Sequence, residues 1–204
     1  MSTAPVIGLL GGIGAGKSAV ADLFGSFGCE VCNADQLAHE ALNDPSVVAG
    51  LREHWGGDVI GEDGRPDRAA ISSIVFLDDS ERAWLERLVH PLVEKARKAA
   101  FSAASDAVPA MVIDAPLILE TGLETQCDHL VFIEVSPSER LARVARTRGW
   151  NEMELARREA AQMDVDQKRQ KADFILDNTG NLGELEDKVK ELLGKILDGV
   201  SGSP

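Results

Sequence analysis

The chain has 204 residues, a formal net charge of −13 at pH 7, and 44% hydrophobic against 27% charged residues. That is enough chain for one domain with a real core and an inserted cap or lid, in the composition range of ordinary globular proteins. The acidic balance argues against nucleic acid or an anionic membrane as main partner, and no stretch approaches the roughly 20 apolar residues that a membrane span needs.

Ala4 to Ala15 is apolar, but no Lys or Arg precedes it and it runs into glycines and Lys17, so it is not expected to be a secretory signal. Val6–Leu10 reads as a buried strand. Gly11-Gly12-Ile13-Gly14-Ala15-Gly16-Lys17-Ser18 follows and satisfies G-x-x-x-x-G-K-[ST], the phosphate-binding loop. Glycine lets the backbone turn its N–H groups inward around a phosphate. The helix expected over Lys17–Phe27 adds unsatisfied N–H groups and the positive end of its dipole. Lys17 is placed to reach the β- and γ-phosphates and Ser18 to ligate Mg²⁺.

Glu30–Asn33 reads as the second strand, with Cys29 and Cys32 in CxxC spacing. No second CxxC or nearby His completes a metal set, so these and Cys127 are expected to be reduced thiols, as in a cytoplasm. Asp35 follows the strand's C-terminal end, where open α/β sheets face their ligands. It suits two roles: a carboxylate that takes or orients an acceptor proton, or the N-cap of a helix over Gln36–Leu42.

A mostly helical excursion fills about residues 36 to 105, including a long amphipathic stretch over Glu81–Ala104. The third strand, Ala110–Asp114, ends in an aspartate in the manner of a Walker-B carboxylate near Mg²⁺. The fourth and fifth strands are His129–Val135 and Asp173–Asp177; helices are expected over Ser138–Arg148, Glu152–Met163 and Leu182–Leu197, and Gly199–Pro204 forms a short tail. Residues 140 to 171 carry nine basic against five acidic side chains, an island for anions in an acidic protein. Arg140, Arg143 and Arg146 recur every three residues there, either as a clamp on a triphosphate or as a solvated helix face.

Strands separated by helices imply right-handed crossovers and an α/β fold. With no guanine-reading N-K-x-D and too little chain for a motor, the natural class is a small-molecule kinase. A kinase acting on a nucleotide or sugar-acid hydroxyl and a non-catalytic nucleotide-binding regulator are the rival readings.

The motifs LLGGIGAGKS, CNADQLAHEAL, GEDGRPDRAAISSIVF, LERLVHPLV, VIDAPLILETGL, FIEVSPSERLARV, EAAQM and ADFILDNTG, in that order over about residues 6 to 195, resemble the dephospho-CoA kinase family. The resemblance implies ATP-dependent phosphorylation of the ribose 3′-hydroxyl of dephospho-CoA, the last step of coenzyme A synthesis, with Mg²⁺ as cofactor. It implies a P-loop kinase-like three-layer fold with a five-stranded parallel sheet. The core would take about 1–35, 105–139 and 172–198, a helical CoA-binding domain about 36–104, and a lid about 140–171. By the same resemblance Asp35 is the proposed base. ATP binding falls to Gly12, Ile13, Gly14, Ala15, Gly16, Lys17, Ser18, Ala19 and Asn178. Substrate binding falls to Asp35, Arg68, His90 and Pro116, metal binding to Ser18 and Asp114, and catalysis, beside Asp35, to Lys17 and the lid arginines Arg143, Arg146 and Arg148. Gln162 matches a polar position of the lid. Asn33 and Ala19 stand where the family often has Asp and Thr, and the lid arginine is displaced around Thr147. The protein is expected to be a cytoplasmic monomer.

Overall fold

Both faces of a central parallel sheet are covered by helices, so its strands are near-continuous apolar runs rather than alternating ones. Ile7, Leu9 and Leu10 of the first strand are all buried, although successive side chains point to opposite faces. In the computed structural model, which describes residues 4–104 and 108–199, five strands form this sheet: β1 Val6–Leu10, β2 Glu30–Asn33, β3 Met111–Asp114, β4 His129–Glu134 and β5 Phe174–Asp177. Their order is β2-β3-β1-β4-β5, with β1 parallel to β3 on one side and to β4 on the other. The five expected strands are present, three of them one residue shorter at one end. Residues 200–204 of the expected tail lie outside the described residues.

The chain divides into two compact units, Met1–Cys32 with Ala103–Pro204, and Asn33–Ser102. In the first, helix α1 Lys17–Ser26 and the C-terminal helix pack beside the sheet, burying Phe24, Val20, Val189 and Leu193 against Ile7, Leu9, Val112, Ile133 and Leu176. The second unit is helical: α2 Ala34–Ala41, α3 Pro45–Trp55, α4 Arg68–Leu77 and α5 Asp79–Ala104. Val47, Leu51, Val59, Ile71 and Val89 form its own core. Trp84 stacks on His54 at 3.9 Å and meets Trp55 edge-on, while Glu81 accepts hydrogen bonds from Trp55 Nε1 and pairs with His54 Nε2, both at 2.7 Å. Pro91 lies within α5, where it removes a backbone donor.

The region after β4 departs from expectation. The helix expected over Ser138–Arg148 is present as α6 Pro137–Arg148, but in place of one helix over Glu152–Met163 there are α7 Glu152–Glu159 and α8 Val165–Gln170, before α9 Leu182–Leu197 closes the fold. The break has a local cause. The Met163 N–H donates to Glu120 Oε1 at 2.8 Å rather than to the preceding turn, and Asp164 caps the next helix by accepting from the N–H groups of Asp166 and Gln167. Among the described residues Cys29, Cys32 and Cys127 form no disulfide; Cys29 is buried, and burial pushes its pKa up.

Candidate functional site

The central strand β1 delivers the glycine loop at its C-terminal end beside β4; the chain leaves β1 toward β2 on one side and β4 toward β5 on the other, the switch point where open α/β sheets open a ligand crevice. Gly14 and Gly16 take φ of 81° and 89°, which a side chain would resist. A Cβ on Gly16 would also lie 2.5 Å from Asn178 Nδ2. Helix α1 starts at Lys17 with no side-chain cap and no acidic residue in its first turn. The contrast with the other helices is direct, since Asn33, Asp44, Asp67, Ser136, Asn151, Asp164 and Asn181 each cap theirs. The head of α1 therefore has no side-chain cap, and a helix end of that kind attracts an anion.

Lys17 Nζ donates to the carbonyl of Gly11 at 3.1 Å, arching back over the loop. Ser18 Oγ donates to Asp114 Oδ2 at 2.9 Å, which links the head of α1 to the end of β3. Asp114 is 7% exposed, while Ser18 and Ala19 are exposed on the first turn. A hydroxyl and a single buried carboxylate are hard oxygen donors of the kind Mg²⁺ takes when phosphates and water supply the rest of its octahedron. Buried Asn178 donates from Nδ2 to the Ala15 carbonyl at 2.8 Å, and so supports the loop from outside.

The expected arginine clamp separates into unlike members. Arg143 reaches the loop, donating to the Ala15 carbonyl at 3.3 Å and the Asn178 carbonyl at 2.7 Å, and pairs with Glu139. Arg140 is buried against the loop and pairs with Glu159. Arg146 and Arg148 are exposed, with the Arg148 guanidinium 4.8 Å from the Trp150 ring centroid. Three residues per step advance a helix face by 300°, so each arginine rotates away from the last.

The anion island is also smaller than its composition implies. Arg140, Arg143, Arg157, Arg158, Lys168 and Arg169 all have carboxylate partners, and among the described residues only Arg146, Arg148 and Lys171 of the nine do not. Hydrogen bonds from Arg157 and Arg158 hold Glu154 down to about 2. Lys168, 2% exposed, is tied to Glu120 at 2.9 Å and to Gln162 Oε1 at 3.1 Å. These buried pairs were missed from sequence because nothing local marks Glu120 or Glu159 as a partner.

In the helical unit the N-cap reading of Asp35 is overturned. Asn33 is the cap, its Oδ1 accepting from Gln36 N at 2.9 Å, so α2 begins at Ala34, two residues earlier than expected. Asp35 is exposed in the first turn, where a negative charge complements the helix dipole. Arg68 opens α4 behind its cap Asp67, and His90 lies on α5 beside Pro91; both are exposed. Among the described residues no hydrogen bond or ion pair joins Asp35, Arg68 and His90. Pro116 belongs to the other unit, exposed just beyond β3. Two shallow hollows of about 520 and 620 Å³ lie on the helical unit, the first lined by Glu40, Asn43, Arg65 and Pro66 and the second by Pro45, Arg52 and Glu53.

Comparison with known proteins adds to this geometry. The family model described as dephospho-CoA kinase matches residues 5–184. A dephospho-CoA kinase of Syntrophotalea carbinolica is 35% identical over 199 residues, covering 97% of this chain and 94% of that protein. The crystal structure of TT1252 from Thermus thermophilus superposes with a TM-score of 0.82 at 33% identity, over 96% of this chain and 99% of that one. A dephospho-CoA kinase from Campylobacter jejuni gives a TM-score of 0.70 at 21% identity, over 95% and 98% of the two chains, a likeness of fold alone.

Proposed function

The chain belongs to the dephospho-CoA kinase family and phosphorylates dephospho-CoA in coenzyme A synthesis, and from that premise we propose that the donor is ATP and the acceptor atom the ribose 3′-hydroxyl oxygen. The observation that carries the donor side is the glycine loop at the end of the central strand, followed by a helix with no side-chain cap. The loop N–H groups and the head of α1 bind the β-phosphate, and Lys17 leaves the Gly11 carbonyl to follow negative charge onto the γ-phosphoryl group.

Ser18 and Asp114 would hold Mg²⁺, which when bound neutralises charge on the β- and γ-phosphate oxygens. Arg143 and Asn178 keep the far side of the loop fixed. Asp35, no longer needed as a cap, accepts the proton of the 3′-hydroxyl as its oxygen bonds to the γ-phosphorus and the bond to the β–γ bridging oxygen breaks. Arg68, His90 and Pro116 are assigned to acceptor binding, and Arg146 and Arg148, the exposed arginines, to contact with the phosphates in a cytoplasmic enzyme. Mg·ATP with dephospho-CoA or its 3′-deoxy analogue tests the acceptor atom: ADP release with dephospho-CoA alone is expected, and equal release with the 3′-deoxy compound would overturn the assignment.

A further inference from the structure

A cradle of backbone N–H groups needs the loop peptides turned toward the ligand. Because the peptide is planar and trans, each carbonyl then faces outward, and where it is buried it needs a partner. Here four of the loop carbonyls are met in this way. Gly11 O accepts from Lys17 at 3.1 Å, Gly12 O from Ala15 N at 3.2 Å, and Ala15 O from Asn178 at 2.8 Å. The carbonyl of Ile13, whose peptide carries the N–H of Gly14, accepts from Arg140 at 3.3 Å.

Arg140 is 7% exposed. Its guanidinium lies so close to Gly12 that a Cβ there would come within 2.6 Å of Nη1 and 2.9 Å of Cζ. Gly12 is thus bare on account of the protein's own arginine. The same Nη1 pairs with Glu159 at the end of α7, while the buried Nε has no hydrogen-bond partner among the described residues. A buried guanidinium keeps its place only if its charge is compensated, and here the compensating carboxylate is Glu159.

We propose that Arg140 and Glu159 are positioning residues for the donor phosphates: Arg140 fixes the Ile13–Gly14 peptide so that the Gly14 N–H faces the ligand, and Glu159 holds Arg140 in that pose. This rests on the reading of the loop as the ATP site. It makes α7 part of the donor machinery through a residue that never touches nucleotide.

The test is Glu159→Gln, with steady-state kinetics in both substrates, ADP binding by calorimetry and thermal denaturation. The core truncation Val189→Ala, in α9, serves as the stability control. The KM for ATP and the Kd for ADP are expected to rise about tenfold together, with the KM for dephospho-CoA within twofold of the parent. Val189→Ala should lower Tm and leave both KM values in place. If Glu159→Gln does not stay folded, Arg140→Lys, which keeps the charge but loses the planar fork, is judged by the same ratio. An ADP Kd within twofold of the parent, or KM values that move together with Tm, would overturn the proposal. A parent protein that binds no ADP would instead remove the ATP-site reading, and this inference with it.

Discussion

The two units hold the residues proposed for function in opposite ways. In the sheet unit, Lys17, Ser18, Asp114, Arg143 and Asn178 are knitted to one another or to the loop by hydrogen bonds between 2.7 and 3.3 Å. In the helical unit, Asp35, Arg68 and His90 stand exposed on three different helices without such ties among the described residues. A donor site that works through backbone N–H groups must be rigid before the ligand arrives, because peptides cannot be re-aimed cheaply. An acceptor side that works through long side chains orders them on binding. On the proposed assignment, the first kind of site is built into the fold and the second is ordered by its substrate.

That contrast can be broken by substitution, beginning with the largest effect. Asp35→Asn should lower kcat by about 10²–10⁴-fold while ADP binding survives, the range for a positioned general base; turnover near the parent's would leave Asp35 no chemical role. Lys17→Ala should lower kcat/KM for ATP by about 10²–10³-fold, as for other lost transition-state donors, and weaken nucleotide binding with it. Unchanged kinetics there would count against the loop as donor site. Arg68→Ala sharpens the division of labour: the KM for dephospho-CoA should rise about tenfold with the KM for ATP unmoved, as for one lost charge-assisted contact.

The smallest effect concerns stability. Burial works to raise the Glu120 carboxyl, but hydrogen bonds from Lys168 and the Met163 N–H outweigh it and hold the group below its usual 4.5. Since its folded pKa lies below the unfolded one, its contribution is complete above about pH 4.5 and is lost as pH falls through the lowered value. Glu120→Gln should therefore cost about 1 kcal/mol at pH 7, since Lys168 is buried but Glu120 is exposed and screened by solvent. Denaturant melts of the two proteins should converge in acid; a gap that persists to pH 2 would refute this account of the pair.

How much was legible in the sequence follows the same division. The loop could be read because its function demands glycine at fixed spacing, and the strands because double burial demands unbroken apolar runs. The fold class follows from both. Asp35 was visible as a carboxylate beyond a strand end, but its freedom from capping was not, since Asn33 could be recognised as the cap only once α2 was seen to begin at Ala34. Arg140 looked like one more member of a basic stripe. Its burial against Gly12 depends on Glu159 arriving from a separate helix, and the Lys168–Glu120 tie depends on a loop beyond β3. Partners brought together by tertiary packing leave no local periodicity to detect. Arg68, His90 and Pro116 entered through family resemblance alone, because exposed side chains without a shared spacing carry no chemistry that can be read in isolation.

The measurement that bears most directly on the central claim is the fate of the γ-phosphorus. The protein is incubated with Mg·ATP carrying radiophosphorus at that atom and with dephospho-CoA, the labelled products are separated and counted, and the carbon bearing the new phosphate is located by phosphorus–proton NMR on unlabelled product. The account predicts label on the ribose 3′-oxygen of coenzyme A, with an equal amount of ADP and none without dephospho-CoA. Label found in inorganic phosphate, or at another hydroxyl of the acceptor, would contradict it.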